Sequence, residues 1–195
     1  MLLTYRDIDY SAYNNAQHNF CCIRYDALYH NFQGALYGRR GLGFYYPNFE
    51  VAGFSNFSSN HRDAVSLLSA QMNLSLIRGH IINAALDGET TSRNLVPLTY
   101  TANTRHKSSE TKVKRMVKHL SRLGKQTTYV VGYEVIVTSN QNGVPVWLAL
   151  EANVYYLSNY GELHIAPNQM QISQTLSGSG VRINLPVTDG FDPLM

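Results

Sequence analysis

The chain has 195 residues and a formal net charge of +3, and 44% of its residues are hydrophobic. That supplies one sizeable core, and the charge is too small to specify an anionic partner by itself. The only cysteines, Cys21 and Cys22, are adjacent, which excludes a disulfide framework. No apolar run approaches the roughly 20 residues of a membrane-spanning helix, and the first residues lack the apolar stretch of a secretory signal.

Residues 1–60 are broken by Gly34, Gly38, Gly41 and Gly43 and read as irregular or short β structure. Eight of the fourteen tyrosines precede position 47. They suit packing on a core, and a stacking platform for bases is the other use of such rings. Residues 54–60 are a Ser/Asn-rich loop. Ala64, Leu67, Leu68 and Met72 recur near helical spacing, which predicts a short helix over 61–72. A short strand over 74–77 then delivers Arg78-Gly79-His80, and a polar loop follows at 87–92. Val113, Met116, Val117 and Leu120 form an apolar stripe that predicts a helix. Ser108 or Ser109 would cap it, Lys118 and Arg122 would occupy its last turn, and Gly124 would stop it. Strands are predicted over 127–137 and 144–157, joined by an Asn140-Gln141-Asn142-Gly143 turn, with a third over 163–165. From Pro167 onward the chain reads as a loosely ordered tail or edge. The expected organisation is a Tyr-rich arm or β/loop region over 1–60, a core over 61–166 and a tail over 167–195, with an α+β fold.

Two residue patterns suggest chemistry. A neutral imidazole such as His80 can accept a proton from water near pH 7. The amide oxygen of Asn94, which opens Leu95-Val96-Pro97-Leu98-Thr99, is a hard ligand suited to a magnesium ion that keeps most of its waters. Base and electrophile together can cut a phosphodiester. Arg105, Lys107, Lys112, Lys114, Arg115, Lys118, Arg122 and Lys125 are half of all lysine and arginine, opposed in that window only by Glu110. A basic helix of this kind binds phosphates without regard to base sequence. We expect Lys112, Lys114, Arg115, Lys118 and Arg122 to make those contacts. The other histidines have no metal-ligand spacing, although His106 is close to the site in sequence.

The stretch Leu76-Ile77-Arg78-Gly79-His80-Ile81-Ile82-Asn83, with Asn94-Leu95-Val96-Pro97-Leu98-Thr99 and Thr101-Ala102-Asn103, resembles the DNA/RNA non-specific endonuclease family, most of all its bacterial toxin-module branch. The resemblance covers about residues 64–125. It implies a ββα-metal finger packed on an antiparallel β-sheet, with two strands delivering the histidine and a helix the metal ligand. By the match, His80 is the general base and Arg78 neutralises charge on the phosphate. Asn94 coordinates Mg²⁺ (or Mn²⁺) directly. Asn103 orients the histidine or the metal waters, and Glu110 stands on the metal side in a similar supporting role. Ile77 departs from the pattern, since many members carry an acidic residue there.

The resulting expectation is a Mg²⁺-dependent nuclease of DNA, RNA or both, secreted or injected as effector cargo to act in a target-cell cytoplasm. A delivery machine and an immunity protein are its implied partners. Two alternatives stay open: a metal-independent ribonuclease using His80 and His106 as an acid–base pair, and a nucleic-acid-binding or structural protein that has lost catalysis on the same scaffold.

Overall fold

The computed structural model describes residues 21–47, 49, 62–122, 129–157, 163–165 and 183–186. Its largest element is a six-stranded antiparallel sheet built from β1 (Cys21–Tyr25), β4 (Arg40–Tyr45), β7 (Tyr129–Ser139), β8 (Pro145–Leu157), β9 (Leu163–Ile165) and β10 (Ile183–Pro186). The order is β1-β4-β7-β8-β10, with β9 also paired to β8. The long central strands β7 and β8 follow the prediction closely. They pair from Tyr129↔Tyr156 to Ser139↔Pro145, with a bulge at Thr138/Ser139. Val131, Tyr133, Val135 and Val137 alternate along one face of β7 and join the core.

Strand pairing crosses both expected boundaries, at 60 and at 166. β1 and β4 lie inside the supposed arm, yet β4 pairs with β7 over six residues, from Arg40↔Ile136 to Tyr45↔Val131. β10 lies inside the supposed tail and pairs with β8. These strands carry hydrogen bonds that only a distant partner can satisfy, and local composition does not register such pairing. The Ser/Asn-rich loop at 54–60, Gly124 and the glycines at 178 and 180 lie outside the described residues.

A second, two-stranded sheet pairs β2 (Tyr29–Phe32) with β3 (Ala35–Gly38). A third pairs β5 (Leu76–His80) with β6 (Leu95–Thr99). Helix α1 (Arg62–Met72) precedes β5, and helix α2 (Tyr100–Arg122) follows β6 without a break. The ββα order β5–β6–α2 is therefore present.

Helix α2 is longer than its apolar stripe suggested, at 23 residues. Its cap is Thr99, whose Oγ1 accepts from the Ala102 N–H at 3.2 Å. Ser109 is mid-helix, donating to the Arg105 carbonyl at 3.3 Å. A polar first half hid the helix start. Val113, Met116, Val117 and Leu120 do face the core, as the stripe required. Among the described residues, no helix is long and apolar enough to cross a membrane.

Leu120 is fully buried in the cluster that joins α2 to the sheet. Leu120→Ala should destabilise the protein by about 2–5 kcal/mol, from lost transfer energy and the cavity left behind. Urea unfolding checks this, and a loss below about 1 kcal/mol would show that the helix is not docked through this stripe.

Candidate active site at the ββα junction

The site begins with strand alternation. Residues two apart in a strand share a face, so Arg78 and His80 project together while Ile77 and Gly79 face the other way. A Cβ at position 79 would lie 2.5 Å from Leu98 Cδ1 and 3.0 Å from the Val96 carbonyl oxygen. Glycine between Arg78 and His80 therefore lets β5 approach β6 closely enough to hold their register, Arg78↔Pro97 and His80↔Leu95.

After His80 the chain makes a long connection that returns at Asn94. The Asn94 side chain closes it. Its Oδ1 accepts from the Ile82 N–H at 2.7 Å, and its Nδ2 donates to the Ile82 carbonyl at 2.8 Å and the Glu89 carbonyl at 2.6 Å. The Asn94 carbonyl also accepts from the Ile81 N–H at 2.8 Å. Asn94 is 0% exposed. Gly88 packs directly on this clamp, where a Cβ would collide with the Ile82 carbonyl. The expectation that Asn94 coordinates a metal is corrected by this geometry. Both ends of its amide are committed to backbone groups that would otherwise be buried without partners.

The same connection is braced by tyrosines from the N-terminal strands. The Tyr45 hydroxyl donates to the Leu86 carbonyl at 3.0 Å. The Tyr25 hydroxyl accepts from the Glu89 N–H at 3.1 Å, and the Tyr29 hydroxyl accepts from Arg93 Nε at 3.2 Å. These three hydroxyls thus tie the N-terminal strands to the connection.

Helix α2 supplies the opposite wall. At about 100° per residue, Asn103, Lys107, Glu110 and Lys114 fall along one flank. Two electrostatic couplings bring this flank to His80: Lys107 acts on His80, and His80 acts on His106. Asn103 is half-buried and Lys107 exposed. Glu110 is 2% exposed, and its Oε1 accepts from the Asn83 N–H at 2.8 Å, strapping the helix to the chain just past His80. One carboxylate oxygen of Glu110, the residue expected on the metal side, thus takes a backbone donor. Asn83 itself caps a short 3-10 turn, accepting from the Ala85 N–H at 3.0 Å.

His106 lies beneath the site at 1% exposure, with Nε2 3.0 Å from the Tyr133 hydroxyl and 3.7 Å from Glu110 Oε1. A ring buried and held in this way cannot reach a substrate as an acid. The alternative His80/His106 ribonuclease pair is corrected on that ground.

Burial, then the nearby Lys107 charge, pushes His80 down to about 4. Burial, then His80, does the same to His106. Burial raises Glu110 to about 8, against the opposing pull of the Asn83 N–H and of Lys114 and Lys107. At neutral pH His80 is therefore the neutral imidazole that a general base requires. An approaching phosphate would raise its basicity, because an anion favours the protonated ring. His80 Nε2 is a buried atom that makes no hydrogen bond among the described residues, although the residue is engaged in other interactions.

The basic residues divide between flanks. Lys114 and Lys118 continue the side that Lys107 begins, with Arg122 near them and Arg115 turned further out. Lys112 lies about 160° around the axis from Lys114. It borders an apolar recess with Met116, Tyr133, Leu150 and Ala152 on the sheet side, which sets it apart from Lys114 and Lys118, while Arg115 lies only about 60° away. Lys107 was not singled out from sequence. The spacing 103, 107, 110, 114 was the signal that could have found it.

No family model matches the chain, and no curated protein matches it. Among solved structures, it is similar to the Sda1 nuclease with bound zinc ion, at 12% identity over 88% of this chain and 75% of that one, with a TM-score of 0.47. It is also similar to an extracellular endonuclease, at 12% identity over 93% and 87% of the two chains and a TM-score of 0.45. A third is NucA from Streptococcus agalactiae with no metal bound, at 12% identity over 77% and 83% and a TM-score of 0.39.

The site's buried groups set opposing pH dependences on stability. His80 and His106, held near 4 against an ordinary 6.5, stabilise the fold fully above pH 6.5 and lose that contribution as pH falls towards 4. Glu110, held near 8 against 4.5, contributes fully below pH 4.5 and loses its contribution as pH rises towards 8. Stability of the metal-free protein should therefore peak near pH 6.5. Glu110→Gln should flatten the decline between 6.5 and 8. Thermal unfolding across pH 4–9 in EDTA measures both, and an unchanged decline in the variant would rule Glu110 out as its source.

Proposed function

We propose that this chain is a metal-assisted nuclease that hydrolyses phosphodiester bonds of DNA, RNA or both, with His80 as general base. The observation that supports this reading most is the convergence of two elements. The Arg78/His80 face of β5 meets the Asn103–Lys107–Glu110 flank of α2, so a neutral imidazole stands among cations suited to a phosphate. The sequence resemblance at the same residues points to the same chemistry.

The donor set suits a hard divalent ion. Among the described residues no cluster of three or more His, Cys, Asp or Glu side chains could hold a metal, so a caged structural ion has no ligands here. An amide oxygen on an accessible helix flank fits an ion that keeps most of its waters. We assign that role to Asn103. When bound, Mg²⁺ or Mn²⁺ would stabilise charge on the leaving oxygen. The rest belongs to the protein. His80 takes the proton of the attacking water, Arg78 and Lys107 hold the phosphate charge, and Glu110 fixes α2 against the chain beyond His80. Contacts from Lys114, Lys118, Arg122 and Arg115 go to backbone phosphates, which gives broad specificity. Lys112 contributes least. We also propose the effector role that the resemblance implies, with delivery and immunity partners to match.

His80→Ala should reduce plasmid and RNA cleavage by about 10²–10⁴-fold without loss of fold. The same variant should abolish growth arrest when the protein is produced inside a bacterial cell. Cleavage above roughly a tenth of the wild-type rate would remove His80 from the role of base.

The two asparagines should separate cleanly. Asn94→Ala should cost at least about 2 kcal/mol of stability, because Ile82 and Glu89 lose partners for buried backbone groups. Its Mg²⁺ midpoint should be unchanged at a temperature where it is folded. Asn103→Ala should leave the melting temperature near wild type and move the Mg²⁺ midpoint upward or eliminate activity. The reverse pattern would return the ligand role to Asn94.

Reversing Lys114 and Lys118 to Glu should weaken DNA and RNA binding together and shallow the slope of log affinity against log salt by roughly two units or less. Lys112→Glu should do so far less. Equal effects from all three would mean that the helix is simply solvated and its charge diffuse.

A further inference from the structure

One tyrosine departs from the pattern set by the others. Tyr25, Tyr29, Tyr37, Tyr45, Tyr46, Tyr129, Tyr133 and Tyr155 are all buried or half-buried. Five of their hydroxyls are tied to named partners, among them Tyr37 to the Gly143 carbonyl at 2.7 Å. Tyr100 is 74% exposed, the most exposed large hydrophobic side chain among the described residues. Its side chain makes no hydrogen bond and no ring contact there.

A single exposed aromatic ring is ordinary on a protein surface, so its location matters more than its exposure. Tyr100 is the first residue of α2. Seven residues separate it from Lys107, which places the two about 20° apart around the helix and about 10 Å apart along it. It therefore opens the same flank that carries Asn103 and Lys107 past His80. Its backbone is rigidly held. Thr99 caps the first turn, and Thr104 Oγ1 donates to the Tyr100 carbonyl at 3.0 Å. The aromatic ring is thus presented to solvent from a fixed platform, in line with the phosphate-binding cations.

Resting on the nuclease reading above, we propose that Tyr100 is a specificity-determining residue that stacks on an unpaired nucleobase next to the phosphate held at Lys107 and His80. Stacking of this kind tolerates any base, because every base has a π-face. It also requires a base that is not already stacked and paired, so it favours single-stranded or locally opened nucleic acid over intact duplex.

The test measures binding with cleavage silenced by His80→Ala, using a labelled mixed-sequence 20-nucleotide single strand and the same sequence as a duplex. Adding Tyr100→Ala should weaken single-strand binding roughly 5- to 100-fold and change duplex binding less than about twofold. Tyr100→Trp should restore single-strand binding, which a loss of fold could not do. Equal weakening on both substrates, or none on either, overturns the proposal while leaving nucleic-acid binding intact. Failure of the parent protein to bind either substrate overturns the proposal and the nuclease reading together.

Discussion

The amide of Asn94 satisfies both backbone groups of Ile82, and the geometry of the site depends on that exchange. Ile82 sits two residues beyond His80, where the strand has ended and its pairing with β6 no longer supplies hydrogen bonds. A buried N–H and C=O at that point need partners, and a side-chain amide offers a donor and an acceptor in the geometry of a peptide group. The clamp extends the β5–β6 pairing by side-chain chemistry. It fixes where β5 stops, and so where His80 stands.

Two further constraints stack on this one. Glu110 reaches from α2 to the Asn83 N–H, one residue past the clamp, so the helix is referenced to the same short stretch of chain. Tyr25, Tyr29 and Tyr45 reach in from the N-terminal strands and tie down the outer part of the connection. The long connection between β5 and β6 is therefore held at several points along its length, which suits the proposed role of His80 as a base that must be kept in place. The Tyr133 hydroxyl and His106 complete the link from the helix to the central sheet. The large sheet serves the site through that contact and through the core behind α2.

The electrostatics follow from the packing. Burial keeps His80 and His106 neutral, and it keeps Glu110 largely protonated at neutral pH in the metal-free protein. Arg78 shares the strand face of the imidazole, and the Lys107 charge acts on it from the helix surface. A substrate anion would meet those cations first and then tune His80 upward as it settles. The surface cations and the imidazole proposed to react are placed by different forces, charge at the surface and hydrogen bonding below.

The sequence by itself determined the local elements and where the Arg78-Gly79-His80 triplet falls among them. The alternation around Arg78-Gly79-His80, the apolar stripe Val113–Met116–Val117–Leu120 and the Asn140–Gly143 turn each carry their structure within a few residues. The strands and the helix docking face could therefore be read directly. Tertiary structure decided which asparagine is free. Asn94 and Asn103 are alike in composition, and only the arrival of Ile82 and Glu89 against Asn94 spends its amide. It also decided that residues 21–25 and 40–45 belong to the central sheet, that the Lys107 charge acts on His80, and that His106 is buried beside it. Each of these depends on contacts between segments far apart in the chain, and periodicity within a segment carries no record of what packs against it.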